Sequence, residues 1–116
     1  MRRSFLRDRS FDFAINIVSV AMNLQVNKRE YVLSKQLLRS GTAIGALLRE
    51  AEFGQSKADY IHKFSISLKE ANETRYWLEL LHESGLLSKN EFSILHTECS
   101  ELVRMLASSI KTLKTR

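Results

Sequence analysis

Glu79-Leu80-Leu81-His82 is the stretch whose residue types and spacing come nearest to a known piece of metal chemistry. A di-metal carboxylate bundle needs Glu-x-x-His on each of two helices, with further carboxylates facing the same cavity. Asp59-Tyr60-Ile61-His62 is a weaker second match. It falls on the same expected helix, about 30 Å away at 1.5 Å per residue, so the two pairs cannot share a site. His96 has Ser93 three residues before it, where a carboxylate would be needed. No HExxH, glycine-rich phosphate loop, nucleophile elbow or paired-cysteine zinc spacing occurs. The sequence therefore predicts no catalytic residue, no metal site and no cofactor.

Charge points elsewhere. The chain carries 18 Lys and Arg against 13 Asp and Glu, a net +5, and the surplus is confined to its two ends. Arg2, Arg3, Arg7 and Arg9 stand against Asp8 alone, while Lys111, Lys114 and Arg116 have no acid among them. The intervening residues 10–110 hold 11 bases and 12 acids, so they are close to neutral. If both ends emerge on one side of the fold, these seven bases converge there as a surface for phosphate, and an oligomer would repeat them around one rim. The plainer alternative is a solvated N-terminal tail, with C-terminal bases that complement a helix dipole.

Arg75 is the other polar residue with consequences, since it falls between Ala71 and Leu78 on a stripe expected to face inward, with Asn72 beside it. A buried guanidinium needs a carboxylate, and Glu50 or Glu52 on the preceding helix could provide one. The expected role is a structural ion pair, Arg75 with Glu50, and the alternative is a ligand site. Tyr76 and Trp77 could stack on bases, but at helical spacing with Leu80 and Leu81 they read as packing residues.

The elements that must position these groups are all helical. Zero prolines and four glycines favour long helices, and four apolar stripes place them at about residues 10–25, 30–53, 56–84 and 88–114. The second stripe is Leu33, Leu37, Gly41, Ile44, Leu48 and Ala51; the third is Ile61, Phe64, Leu68, Ala71, Leu78 and Leu81. Phe92, Leu95, Cys99, Leu102, Leu106, Ile110 and Leu113 make the fourth, opened by the capping box Ser88-Lys89-Asn90-Glu91. Ser56 followed by Asp59 opens the third helix; Gly54 and Gly85 end the second and third. These stripes predict a single all-α domain over 1–116, an up-down-up-down antiparallel four-helix bundle.

The first helix is apolar almost all round. Asp12, Asn16, Ser19 and Asn23 form one polar line, and the remaining circumference exceeds what one bundle core can bury. Phe11, Ile15, Val18 and Met22 are therefore expected at an interface between subunits, with Gly41 and Gly45 joining them. Two glycines four residues apart inside a helix forfeit about 2 kcal/mol together relative to alanine, which close packing must return. Shielding of the first helix by an N-terminal arm through Phe5 and Leu6 is the alternative.

At 116 residues and 44% hydrophobic the chain can hold one small core. Its single cysteine, Cys99, is expected as a buried thiol in a reducing cytoplasm. No apolar run approaches a membrane span, and the arginine-rich start lacks a signal peptide's hydrophobic region, so a soluble, unexported protein without a membrane partner is expected.

Three segments carry a resemblance: EYVLSKQLLRSGTAIGA from Glu30 to Ala46, REAEFGQSKADYIHK from Arg49 to Lys63, and LKEANETRYWLELL from Leu68 to Leu81. The chain resembles the four-helix-bundle family of 23S rRNA intervening sequence proteins, related to the accessory variability determinants of diversity-generating retroelements. One departure is Leu47, where the family usually carries Asn. The resemblance implies a ring-shaped homo-oligomer, a pentamer, with no established reaction. It also implies possible partners in RNA or DNA, or in a protein such as a reverse transcriptase. The function expected is a non-catalytic oligomeric accessory protein that binds nucleic acid through Arg2, Arg3, Arg7, Arg9, Lys111, Lys114 and Arg116. The alternative is a protein-interaction scaffold that binds none.

Overall fold

The computed structural model describes the backbone of residues 2–116 and side chains from Phe5 onward. The side chains of Arg2 and Arg3, two of the expected phosphate ligands, lie outside the described residues. Four helices follow one another: α1 (Arg2–Asn27), α2 (Leu33–Glu52), α3 (Lys57–Glu83) and α4 (Lys89–Lys114). Each packs on the next in sequence and α1 returns against α4, which closes a four-helix bundle 46 Å long and about 20 Å across.

α1 begins eight residues earlier than its stripe suggests. Leu6 and Ser10 continue the buried series Phe13, Ile17, Ala21 and Leu24 at steps of three and four, so the segment read as an arm is two more turns of helix. α2 begins later than expected, because Glu30 is not in the helix but over its end. Its carboxylate accepts hydrogen bonds from the N–H groups of Val32 (3.2 Å), Leu33 (2.9 Å) and Ser34 (2.7 Å). Those are donors that the first helical turn cannot satisfy internally, and an anion there also complements the helix dipole.

The other ends follow their local chemistry. Ser56 accepts from Asp59 N–H at 3.0 Å, and both bonds of the Ser88–Glu91 capping box are present. Gly85 has φ +80°, the left-handed conformation that a Cβ disfavours. It lets Leu86 N–H reach Leu81 C=O (2.9 Å) and Gly85 N–H reach His82 C=O (3.0 Å), which terminates α3 as a Schellman motif.

The core contains most of the expected apolar residues and five buried hydroxyls that the stripes leave out, at Ser10, Ser34, Ser40, Ser67 and Thr74. Ser67 donates to Ile44 C=O at 2.9 Å, and Thr74 Oγ1 is hydrogen-bonded to Ser40 Oγ at 2.9 Å, all three residues being buried. Small side chains with satisfied hydroxyls bring α2 and α3 close together without leaving an orphan polar atom. Leu33, Ile61, Leu68, Phe92 and Leu113, expected inside, sit at the core's margin.

Gly41 sets the distance between α1 and α2. A Cβ at Gly41 would stand 2.9 Å from Cγ2 of Ile17, which is fully buried. The close contact that the paired glycines anticipate therefore exists, but at Gly41 it is made with the chain's own first helix. Asn16, on the polar line of α1, reaches α4, where its Nδ2 donates to Glu98 at 3.4 Å.

Candidate nucleic-acid interface and assembly face

The two terminal regions meet at one end of the bundle. Lys57 Nζ at the start of α3 donates to the main-chain oxygen of Arg116 at 2.7 Å, and Leu6 of α1 lines one groove with Tyr60 and Thr112. The seven terminal bases do not, however, form one field of free cations. Arg7 pairs with Glu52 on α2 at 3.2 Å, and Arg9 pairs with Glu101 on α4. A helix that begins at Arg2 holds both arginines within reach of neighbouring helices, where a flexible tail would not.

Lys111, Lys114 and Arg116 are exposed and make no ion pair among the described residues. Arg104, about two turns before Lys111 on the outer side of α4, is likewise exposed and unpaired. Terminal charge counting passes over it because it falls in the near-neutral middle of the chain; its helical spacing from Lys111 is the signal that could find it.

The outward side of α1 carries a second feature. Phe11, Ile15, Val18 and Met22 stand 43–54% exposed in a row at steps of four, three and four. Beside Phe11 lies a hollow of about 280 Å³ between α1 and α2, lined by Ala14, Thr42, Gly45 and Ala46 and flanked by Arg7 and Arg49. The Arg49 guanidinium rests 5.1 Å from the Phe11 ring centroid, an arrangement that favours a cation over the aromatic face. Gly45 thus borders this outer face, although a Cβ there would come within 3.1 Å of Ser10 Oγ. Gly41 is buried beneath α1 and belongs to the interior.

The Arg75–Glu50 pair does not form. Glu50 binds Lys63 at 3.0 Å, and Arg75 donates to Asn72 Oδ1 at 3.2 Å. Thr74, not Arg75, lies on the inward line with Ala71 and Leu78, so the guanidinium sits at the half-buried margin beside Asn72. Trp77 packs partly against the core, with its indole Nε1 buried and unpartnered, while Tyr76 is 55% exposed.

Glu79 faces His96 rather than completing a site with His82. Their contact is 2.8 Å, and His82 stacks on Phe92 with centroids 4.3 Å apart. Among the described residues, no group of three or more His, Cys, Asp and Glu could hold a metal ion. Cys99 is a buried free thiol 3.2 Å from Ala71 C=O. Burial pushes its pKa up to about 12, with Arg75 pulling it down and Glu79 adding to the rise. At Glu30, partial burial works against the charge, but the N–H groups of Leu33, Ser34 and Val32 outweigh it and hold the carboxyl below its ordinary value. Among the described residues, no helix is long and apolar enough to cross a membrane.

Fold and surface together define a small antiparallel four-helix-bundle protein with a charged end and an apolar outer flank. The chain belongs to the 23S rRNA-intervening sequence protein family, which it matches over residues 5–108. It is similar to a protein of unknown function from the S23 ribosomal protein family of Bacteroides thetaiotaomicron VPI-5482, whose crystal structure was determined at 1.70 Å. The two share 45% identity over 96% of this chain and 99% of that one, with a TM-score of 0.93. No curated protein matches the chain.

Proposed function

We propose that the protein is a non-catalytic subunit of a homo-oligomer that binds RNA or DNA electrostatically at the end of the bundle where its termini meet. The observation that carries this reading is the set of exposed cations at the end of α4 and just beyond it, Lys111, Lys114 and Arg116, which have no ion pair among the described residues. Cations without carboxylate partners are the ones available to displace counterions from phosphate. The apolar row Phe11–Ile15–Val18–Met22 supports assembly, which would multiply that charge; five copies in a ring is what the family resemblance implies. A single buried thiol suits a reducing cytoplasm.

Filter binding of mixed-sequence RNA and duplex DNA over a salt series tests the reading. Binding by the parent should weaken steeply with salt, and replacing Lys111, Lys114 and Arg116 by Gln should flatten that slope without unfolding the bundle. Tight binding by the neutralised variant would move the site elsewhere.

A second reading has its own support. The pairing of Arg7 with Glu52 and of Arg9 with Glu101 consumes half of the N-terminal charge, as suits a scaffold whose partner is another protein, such as a reverse transcriptase. No binding of nucleic acid by the parent at low salt would favour it.

A further inference from the structure

Near the meeting point of the termini, α1 does not close fully on α4. A half-open groove of about 460 Å³ runs there, floored by Leu6 and Phe64, walled by Tyr60, rimmed by Ser108, Ser109 and Thr112, and bordered by Arg116. A second hollow of about 320 Å³ opens beside it. It shares Leu6, Ser108 and Ser109 with the first and adds Phe5, Met105 and Arg104. Neither lining contains an Asp or Glu side chain, although both are frequent in the rest of this chain.

We infer that this groove receives unpaired bases of a single-stranded nucleic acid, with the flanking phosphates held by Arg104 and Arg116. The inference rests on the nucleic-acid reading above and names the kind of nucleic acid. Three observations support it. The groove offers aromatic surface beside hydroxyls: Tyr60 stacks on Phe64 with ring centroids 4.8 Å apart and lines the opening, and Phe5 is 53% exposed next to it. Bases stack on such rings whatever their identity. Arg104 lies ten residues before the end of α4, about 15 Å along the axis, and Arg116 lies two residues beyond that end, so they bracket the groove rather than crowd it. Both are exposed and free of ion pairs among the described residues, unlike Arg7 and Arg9. The two volumes suit individual nucleotides, in the lower range of ligand sites at roughly 300–1,000 Å³. A base stacked inside a duplex presents only its edges and cannot enter.

Fluorescence anisotropy on the full chain decides between a groove for bases and a surface for phosphate alone. The probes are a labelled oligothymidylate of about twenty nucleotides, enough to cover more than one site, an abasic strand of the same length, and a blunt duplex. The oligothymidylate should bind more tightly than either of the others at matched salt. Ser108→Leu fills the waist shared by the two hollows from an exposed position, changing neither charge nor aromatic content. It should weaken the oligothymidylate at least about fivefold, the lower end of what one stacked base is worth, and leave the abasic strand and the duplex unchanged. Arg104→Ala combined with Arg116→Ala should lower the single-strand salt slope by about 0.7 for each phosphate no longer neutralised. Circular dichroism checks that both variants fold. Equal affinity for all three probes, with Ser108→Leu indistinguishable from the parent, overturns the groove and leaves electrostatic binding standing. No binding of any probe by the parent overturns the nucleic-acid reading and the groove with it.

Discussion

One guanidinium nitrogen of Arg7 lies 3.2 Å from both carboxylate oxygens of Glu52, tying the start of α1 to the end of α2. With the two side chains 41% and 23% exposed, the pair sits where ion pairs are worth little in stability, typically about 0–1 kcal/mol. Its larger effect is on the surface field, because it cancels a cation beside the end proposed to bind phosphate. Glu52→Gln together with Glu101→Gln should therefore leave thermal stability nearly unchanged and strengthen nucleic-acid binding. The salt slope should steepen by about 0.7–0.9 for each arginine that gains a phosphate. Unchanged affinity and slope in filter binding would show that Arg7 and Arg9 do not face the ligand.

Gly41→Leu sets two effects against each other. The substitution gains up to about 1 kcal/mol in helix propensity, but its Cβ alone would enter to 2.9 Å from a buried, β-branched Ile17 that has no room to turn away. Overpacking of this kind costs about 1–3 kcal/mol and should win, lowering the denaturation midpoint. Gly41→Leu combined with Ile17→Ala should recover part of the deficit. A variant that melts higher than the parent would contradict the packing described for α1 and α2.

Ile15→Asp with Val18→Asp places two charges in the exposed row of α1 and touches nothing in the core. If that row joins subunits, the particle mass by light scattering should fall toward the 13.4 kDa of one chain, while helical content stays the same. A parent already monomeric at micromolar concentration would defeat the assembly argument outright.

The acid side of the stability profile should carry the mark of Glu30. Its folded pKa lies below the unfolded value, so the unfolded state binds more protons in between. The stabilisation is complete above the unfolded pKa and disappears as pH falls through the folded one. Glu30→Gln should cost about 1 kcal/mol at neutral pH, as removal of a helix cap does. Urea midpoints of parent and variant should converge as pH falls from the unfolded value through the folded one.

Cys99 marks the alkaline side with the opposite sign of proton uptake. Its thiol titrates at about 12 when folded against an ordinary 9.0, so folding holds the proton, and the stabilisation disappears as pH rises from the unfolded value. Parent stability relative to Cys99→Ala should decline above pH about 9. Iodoacetamide should label the native thiol only as fast as the bundle opens; rapid labelling under native conditions would place the sulfur at the surface.

Much of the fold is legible in residue spacing. Ser56, the Ser88–Glu91 box and Gly85 mark their boundaries because each acts through bonds within a few residues of itself. Longer-range features mislead where local signals conflict. The run Arg2–Arg9 looks like a tail by charge, yet Leu6 and Ser10 continue the core stripe, and tertiary burial decides in favour of helix. Arg75 reads as inward because it lies between two core residues; Thr74 holds that line instead, and the small displacement around the helix leaves Glu50 to Lys63. Ser67 and Thr74 escape notice because hydroxyls do not register in an apolar pattern. The pairing of Arg7 and Arg9 is not legible at all, since their partners are more than forty residues away in the chain.

α1 presents an apolar row inward, at Leu6, Phe13, Ile17 and Leu24, and another outward, at Phe11, Ile15, Val18 and Met22. A helix so nearly two-faced could dock on its neighbours in either rotational setting at similar hydrophobic gain. The absent side chain of Gly41 is a keyhole that Ile17 fills, and in the same setting Asn16 meets Glu98. Rotational identity of α1 is thus specified by one missing methyl group and a few polar stitches, from Arg7 to Glu52, Arg9 to Glu101, Asn16 to Glu98 and Gln25 to Ser34, so that filling the keyhole would set packing against pairing over which face of α1 is the inside.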